Sequence, residues 1–308
     1  MTMAIAIVGV GKIARDQHLP TIAASDRFTL AGVVSSHADD LNVPAAASLT
    51  ALKRQVPDLA AASICTPPMG RAAVIAEALW LGLDVMIEKP PAATISEAEQ
   101  FAALARDAGR ALYLTWHSRE ANGVEPLRQW LAGRTVRRIA IEWMEDVRVW
   151  HPGQEWIWQP GIGVFDPGIN ALSILTRLLP TPATIVEATL RCPADRAAPI
   201  AASLTMASAA ADAITAEFSF DQRGPQTWTI TVETDGGTAV LRDGGGNLAI
   251  DGVDVTLAEA TEYSRLYDRF ADLVAAREID ADLAPFRLVA DAFLLGRRET
   301  VAPFSWDG

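Results

Sequence analysis

The chain of 308 residues reads as an α/β protein. A doubly wound parallel sheet is expected first, joined to an α+β part with a large, open, mostly antiparallel sheet. Three features predict this. A buried strand at the start runs straight into a glycine turn and a helical stretch. Strand and helix then alternate up to about Thr115, and beyond that point short strand-like runs follow one another, separated by Gly, Pro and Asp turns.

The first strand is Ala4-Ile5-Ala6-Ile7-Val8, apolar throughout as expected of a strand covered on both faces. It leads into Gly9-Val10-Gly11-Lys12-Ile13-Ala14, which has the form G-x-G-x-x-A. Gly9 allows a tight turn, Gly11 lets backbone approach a pyrophosphate, and small Ala14 permits close packing of helix on strand. A diphosphate would sit at the helix N-terminus, so Gly9, Gly11, Lys12 and Ile13 are candidates for holding a dinucleotide. The second strand, Phe28 to Val34, ends in Ser35-Ser36-His37. A chain that binds NAD usually presents Asp or Glu there to the ribose 2′-hydroxyl. Two hydroxyls and an imidazole can instead donate to a 2′-phosphate, so NADP is expected, with NAD also accepted. No arginine stands in that turn to clamp the phosphate.

Ala61-Ala62-Ser63-Ile64-Cys65 is the next strand, and Cys65, Thr66 and Pro67 are placed along the cofactor by the rigid turn that follows. Asp84-Val85-Met86-Ile87 reads as another buried parallel strand, closed by Glu88-Lys89-Pro90. Ligands of doubly wound sheets bind outside the carboxyl ends of the strands, so Lys89 there meets substrate before bulk water. Glu88 and Lys89 are accordingly assigned to the cofactor side of the crevice, and proline after them fixes φ and permits a cis peptide.

A helix is expected from Ile95 to Gly109, begun near Thr94 or Ser96 and closed by the glycine. Strand-like runs then cover Arg138 to Met144, Ile185 to Leu190, Ile200 to Ser208, Ala213 to Phe220, Trp228 to Glu233, Ala239 to Arg242 and Leu248 to Ile250. Helical spacing returns at Tyr263 to Arg277 and Pro285 to Arg297. The domain boundary is therefore expected near 118, giving a dinucleotide-binding domain 1–118 and a domain 119–308 for substrate and oligomerisation. The last helix, about 285–297, is expected to pack back on the first domain.

Between the first strand of the second half and the next lies a dense set of polar and aromatic residues: Glu145, Asp146, Trp150, His151, Trp156, Trp158, Asp166 and Asn170. Such a mixture suits a sugar, with indole faces against the ring and carboxylate, imidazole and amide on its hydroxyls. Asp166-Pro167-Gly168-Ile169-Asn170 precedes an apolar helical run, which makes Asp166 an expected N-cap with Pro167 at the first helical position. Asn170, four residues on, shares its side of the helix.

Composition narrows the classes. Hydrophobic residues make up 50% and charged residues 21%, ordinary for a globular protein. A net charge of −12 with no basic stripe argues against nucleic acid. No apolar run approaches bilayer length and no positive leader precedes the first strand, so no membrane association and a cytoplasmic location are expected. Two cysteines, Cys65 and Cys192, give little material for a catalytic zinc, so no metal is expected. There is no Tyr-x-x-x-Lys pair of the kind another dehydrogenase class uses.

In the order and spacing of these motifs the chain resembles the Gfo/Idh/MocA oxidoreductase family over essentially its whole length. Further runs, Ile13-Ala14-Arg15-Asp16-Gln17-His18-Leu19-Pro20, Trp116-His117-Ser118-Arg119, Trp150-His151-Pro152-Gly153-Gln154, Trp156-Ile157-Trp158 and Gly163 to Ser173, resemble the sugar 1-dehydrogenases of that family. The resemblance implies an N-terminal Rossmann domain and a C-terminal domain whose open sheet mediates dimer or tetramer contacts. It also implies oxidation of C1 of a cyclic aldose, of the L-arabinose, D-galactose or D-fucose type, to the aldonolactone. Many members of the wider family place a histidine where this chain has Asn170. Asparagine cannot usefully accept a proton, so Asp166 becomes the expected base, with Lys89 and Asn170 on the reacting oxygen and Glu145, His151, Trp150, Trp158 and His117 around the sugar. Other chemistry of the family, on an inositol, diol or imine, is the alternative, followed by a non-catalytic dinucleotide sensor.

Overall fold

The computed structural model of the chain describes residues 2–36, 38 and 40–307. Its packing divides the chain into two units, Met1–His117 with Ala260–Leu283, and Ser118–Glu259 with Ala284–Gly308.

In the first unit the apolar runs become β1 (Met3–Val8), β2 (Phe28–Val34), β3 (Ala45–Ala46), β4 (Ala61–Ile64), β5 (Asp84–Ile87) and β6 (Leu112–Leu114). A late strand, β15 (Ile279–Asp280), completes a seven-stranded sheet in the order β15-β6-β5-β4-β1-β2-β3. Every pairing in it is parallel. β4 and β5 are buried along their whole length, which is why they read as unbroken apolar runs. Between them run the helices α1 (Leu19–Ala24), α2 (Leu49–Gln55), α3 (Arg71–Trp80) and α4 (Ile95–Ala108). The Thr94 hydroxyl accepts from Glu97 N–H at the start of α4, and Gly109 ends it in the left-handed conformation. The chain leaves β1 toward β2 on one side and later returns to β4 on the other, so the strand order reverses between β1 and β4. There the strand ends are in register: Cys65 N–H donates to Val8 O at 2.8 Å and Glu88 N–H to Ile64 O at 3.0 Å. Gly9, Cys65 and Glu88 thus open one crevice at the switch point of the sheet.

The second unit is built on β7 (Val136–Met144), β8 (Thr184–Pro193), β9 (Ala201–Ser208), β10 (Ala211–Ser219), β11 (Thr227–Thr234), β12 (Gly237–Arg242), β13 (Asn247–Ile250), β14 (Val253–Asp254) and β16 (Arg297–Val301). They form a nine-stranded sheet in the order β14-β13-β12-β11-β7-β10-β9-β8-β16, antiparallel except at β7/β10 and β8/β16. Alternate residues of β7 and β10 (Ile139, Ile141, Trp143; Ile214, Ala216, Phe218) are buried, while Glu142, Thr215 and Glu217 are exposed. The helices of this unit are α5 (Val124–Leu131), the short α6 (Val147–Trp150), α7 (Phe165–Leu178) and α9 (Ala284–Leu295), of which α5, α7 and α9 pack on the sheet.

The last helix departs from the sequence expectation. α9 packs on β8 and α7 inside the second unit, burying Phe286, Leu288, Val289 and Ala292. It also stops at Leu295, because Gly296 is pressed against Leu190 and the chain then pairs as β16. The segment that returns to the first unit is the preceding one, with α8 (Glu262–Ala276) and β15. Tyr263, Leu266, Tyr267 and Phe270 of α8 join the core of Ile5, Ile7 and Phe28. Among the described residues no helix is long and apolar enough to cross a membrane.

Two glycines set the position of α7. Gly168 lies against the Phe218 ring of β10, where an added Cβ would stand 2.9 Å from Cδ2. Gly163, at φ +62°, leaves an added Cβ only 2.4 Å from Pro199 O, the same carbonyl that accepts from Val164 N–H at 2.8 Å. A side chain at 163 meets both a left-handed backbone and an immovable carbonyl. Gly163→Ala should therefore cost about 2–4 kcal/mol, the combined scale of a left-handed non-glycine residue and overpacking. Denaturant unfolding measures it, and a loss below about 0.5 kcal/mol would mean the loop re-forms elsewhere at no cost.

Candidate active site

In the first unit the residues at the strand ends have the shape a dinucleotide needs. Gly9 sits at φ +86°, with an added Cβ 2.8 Å from Thr66 Cγ2 and 3.0 Å from Thr66 N, so only glycine fits between the two turns. An added Cβ at Gly11 has nothing within 4 Å, which leaves its backbone open to a diphosphate. Lys12 is exposed and paired with Asp16, and Ile13 is half-buried. Ser35 and Ser36 follow the end of β2, half-buried and exposed; His37 lies outside the described residues. An arginine does reach this loop, although none stands in the turn itself: Arg15 pairs with Asp40 through two contacts of 2.7 and 2.8 Å.

The end of β5 is fixed by groups far apart in sequence. Glu88 is buried, and its Oε1 accepts from Tyr263 Oη at 2.8 Å and from His18 Nε2 at 3.0 Å. Its Oε2 accepts the backbone N–H of Lys89 at 3.0 Å. The second nitrogen of His18 faces Tyr267 Oη at 2.8 Å and Ser63 Oγ at 3.2 Å. Arg71, 2% exposed, closes the other side. Its Nε donates to Thr66 O at 2.8 Å and its terminal nitrogens to the carbonyls of Thr66, Glu88 and Pro90. Lys89 is thus flanked by two carbonyls held by one guanidinium and carries a backbone N–H held by a carboxylate. The Lys89–Pro90 peptide is cis. The Glu88 carboxylate is turned into the unit, so its contribution on the sequence-expected cofactor side is to hold Lys89. Cys65 is buried with its sulfur beside Ser63.

The neighbours of His18 and Glu88 favour the charged form of each. Burial opposes ionisation of both members of the pair. For Glu88 the His18 hydrogen bond and charge, with His117 and Tyr263, outweigh it and bring the carboxyl down to about 2. For His18 the surrounding Cys65, Tyr267 and Glu88 hold the imidazole well above its ordinary value of 6.5. Burial brings Arg71 down to about 10 against the pull of Glu88, Cys65 and Glu97, so it too is charged at neutral pH. His18, Arg71, Tyr263 and Tyr267 were not candidates from the sequence. The one local signal was His18 inside the run Ile13 to Pro20. His117 sets Nδ1 2.6 Å from Glu262 Oε2 and stacks on Tyr263.

In the second unit Asp166 occupies the first turn of α7. It is not the N-cap: the helix starts at Phe165 with Val164 before it, because both side chains are buried and the turn is closed by Val164 N–H to Pro199 O. The Asp166 carboxylate, 8% exposed, lies 3.4 Å from Nε2 of His151. Asn170 follows one turn later, half-buried, with its carbonyl accepting from Ser173 Oγ at 2.7 Å. Glu145 is buried and accepts from the indole N–H of Trp228 at 3.0 Å. Trp228 stacks on Trp143 and lies 4.9 Å from the half-exposed Trp150. Trp228 was missed because its only sequence signal was a strand pattern. Trp158 departs from the expectation of a sugar platform: it is 5% exposed and packed among Phe220, Phe304 and Trp306. Three aromatic neighbours leave its ring faces in the core. Asp146 caps α6 and holds Arg148 and Arg223. Among the described residues no cluster of His, Cys, Asp and Glu could hold a metal ion.

Comparison with known proteins adds independent findings. The model of an oxidoreductase family with an NAD-binding Rossmann fold, Gfo/Idh/MocA, matches residues 3–115. Galactose 1-dehydrogenase of Pseudomonas fluorescens is 44% identical over 97% of this chain and 98% of its own. The crystal structure of a D-galactose-1-dehydrogenase protein from Rhizobium etli superposes with a TM-score of 0.94 at 46% identity, covering 99% of this chain and 98% of that one. A 3-ketoreductase from Actinomadura kijaniata shares the fold at 17% identity and a TM-score of 0.81, covering 99% of this chain and 100% of its own.

The buried pair gives a pH dependence with a definite sign. The His18 pKa is raised by folding, so its stabilisation is complete below the unfolded value of 6.5 and is lost as pH rises through the folded value. The Glu88 pKa is lowered, so its stabilisation is complete above the unfolded value of 4.5 and is lost as pH falls toward about 2. His18→Gln should cost about 3–5 kcal/mol at pH 6, the scale of a buried pair deprived of one partner. The gap to wild type should narrow at pH 9. Urea unfolding at the two pH values decides it, and a gap that is constant or widens toward pH 9 contradicts a charged His18.

Proposed function

Because the chain belongs to the Gfo/Idh/MocA oxidoreductase family, we propose that it is an aldose 1-dehydrogenase acting on D-galactose and on sugars that share its ring configuration from C2 to C4. The observation that carries this reading is 44% identity to a galactose 1-dehydrogenase along nearly the whole of both chains. When bound, the nicotinamide dinucleotide supplies the acceptor for the C1 hydride. The remaining chemistry belongs to side chains. Gly9, Gly11, Lys12 and Ile13 hold the diphosphate, with Cys65, Thr66 and Pro67 along the adjoining strand end. Lys89 donates to the C1 oxygen and stabilises the charge that develops there, a role supported by the clamps on either side of it. Asp166 takes the C1 hydroxyl proton, and Asn170 orients the oxygen without competing for the proton. Glu145, held by Trp228, and the half-exposed Trp150 and His117 engage the remaining sugar groups. We also propose a homo-oligomer, dimer or tetramer, formed through the open face of the nine-stranded sheet.

Steady-state rates and product analysis with D-galactose, L-arabinose, D-fucose and D-glucose test the reading; the first three should give aldonolactone and D-glucose much less. An inositol or a diol outperforming all aldoses would overturn it. Lys89→Ala should lower kcat at least about a hundredfold with dinucleotide affinity nearly unchanged, since the donor acts mainly in the transition state. Near-normal turnover of that variant would remove Lys89 from the reaction.

Cofactor choice follows from the turn after β2. Ser35, Ser36 and His37 offer donors to a 2′-phosphate and no carboxylate in the turn excludes it, each hydrogen bond adding about 0.5–1.5 kcal/mol. NADP should be favoured over NAD about tenfold in kcat/KM, equivalent to about 1.4 kcal/mol. Ser35→Asp should move the ratio toward NAD and Ser36→Arg toward NADP. A ratio that ignores Ser35→Asp would show that this turn does not read the ribose.

A further inference from the structure

His151, expected among the residues around the sugar, also faces the proposed base Asp166. Nε2, the nitrogen farther from the backbone and so the natural one to reach a ligand, lies 3.4 Å from Asp166 Oδ2. The imidazole is held there from several directions. The backbone N–H of His151 donates to Val147 O at 2.8 Å and its backbone carbonyl accepts from Gln154 N–H at 3.1 Å. Its ring meets Trp156 and Phe220 edge-on at 6.0 and 5.8 Å. Asp166 is held just as firmly, because Gly163 and Gly168 fix the start of α7 against Pro199 and Phe218. Two groups placed by separate parts of the backbone therefore face each other.

We infer that His151 is the positioning residue of the Asp166 base: its Nε2–H holds Oδ2 and thereby presents Oδ1 to the C1 hydroxyl. This rests on the aldose 1-dehydrogenase reading. A carboxylate has two equivalent oxygens on a broad terminal torsion, and each contact to one oxygen narrows the directions in which the other can be presented. At 3.4 Å the two groups are within ion-pair reach and not yet hydrogen-bonded; on the inference the contact closes to a hydrogen bond in the substrate complex. The proton lost by the C1 hydroxyl ends on Oδ1, and the neutral imidazole keeps its own Nε2 proton throughout. Asn170 cannot substitute for Asp166 as acceptor, which places the whole demand for orientation on this carboxylate.

Two substitutions separate the donor from the ring. His151→Phe keeps the edge-on ring contacts and removes the donor, whereas His151→Gln gives up the ring and keeps an N–H donor at similar reach. With saturating NADP and D-galactose as the varied substrate, His151→Phe should lose about thirtyfold to a hundredfold in kcat with KM within about threefold of wild type. His151→Gln should recover at least about tenfold of that loss. A raised KM with kcat intact, equal kcat in the two variants, or no loss in His151→Phe would each overturn the inference. Thermal melting confirms that both variants are folded. A readout independent of turnover is the imidazole nitrogen spectrum of the cofactor-free protein at pH 8. The ring whose signals vanish in His151→Phe should be the Nε2–H tautomer, and that preference should disappear in Asp166→Ala; an Nδ1–H tautomer in wild type overturns the inference. If wild type itself forms no lactone from any aldose, the functional reading and the inference fall together. If it does and the variants behave otherwise than stated, only the inference falls.

Discussion

The interaction on which the first unit depends is the buried pair between His18 and Glu88. Taking two charges out of water costs several kcal/mol per ion, and their attraction recovers that cost only when the remaining donors and lone pairs are also satisfied. Here they are. Glu88 has Tyr263 and His18 on one oxygen and the Lys89 backbone on the other, and His18 has Tyr267 and Ser63 on its second nitrogen. Four distant stretches of chain meet in this network: the helical segment after the first glycines, β4, the end of β5 and the helix α8. An apolar cluster of equal volume would hold these stretches together as well, but it would not specify where the Lys89 backbone stands. The ion pair converts fold stability into the position of one residue.

The second unit obtains position by steric means. Gly163 and Gly168 are places where backbone or an aromatic ring leaves no room for a Cβ, so α7 has one seating on the sheet. Close packing is stiff because interiors are dense and missing or surplus methyl groups are felt at once. Asp166 and Asn170 inherit that stiffness, being in the first two turns of the helix. Glu145 is also placed by packing and pairing, its buried carboxyl accepting from the indole of Trp228 on β11.

What was legible in the sequence divides along a physical line. Features that act between near neighbours were readable: the Gly9 turn, the Thr94 cap and Gly109 stop of α4, the strand end at Glu88-Lys89-Pro90, and the turn-bounded strand runs that form β7 and β10. Features made by pairing across the chain were not, since periodicity carries no information about partners. His18 and Glu88 are 70 residues apart, Glu88 and Tyr263 175, and Glu145 and Trp228 83. Asp166 shows the same limit from the other side. An acid before Pro-Gly and an apolar run satisfies every local rule for an N-cap, yet burial of Val164 and Phe165 moves the helix start and turns the carboxylate toward His151. Trp158 was read as a platform because an indole beside polar residues looks the same whether its faces meet a ligand or the aromatic rings around Phe304.

Asparagine at position 170 makes chemical sense only in view of these arrangements. The wider family that this chain resembles commonly carries histidine there, a group able to accept a proton. An amide at the same place can donate and accept hydrogen bonds but cannot change its charge, so in the proposed role it orients the reacting oxygen without entering the proton balance. In the proposed reaction the proton then passes to a carboxylate, a weaker base than imidazole that depends more on being correctly aimed. An imidazole is nevertheless retained within reach of that carboxylate, delivered by the loop after α6 rather than by α7 itself. On the proposed reading, two functions that one histidine would combine are divided between helix and loop, acceptance of the proton falling to Asp166 and its orientation to His151.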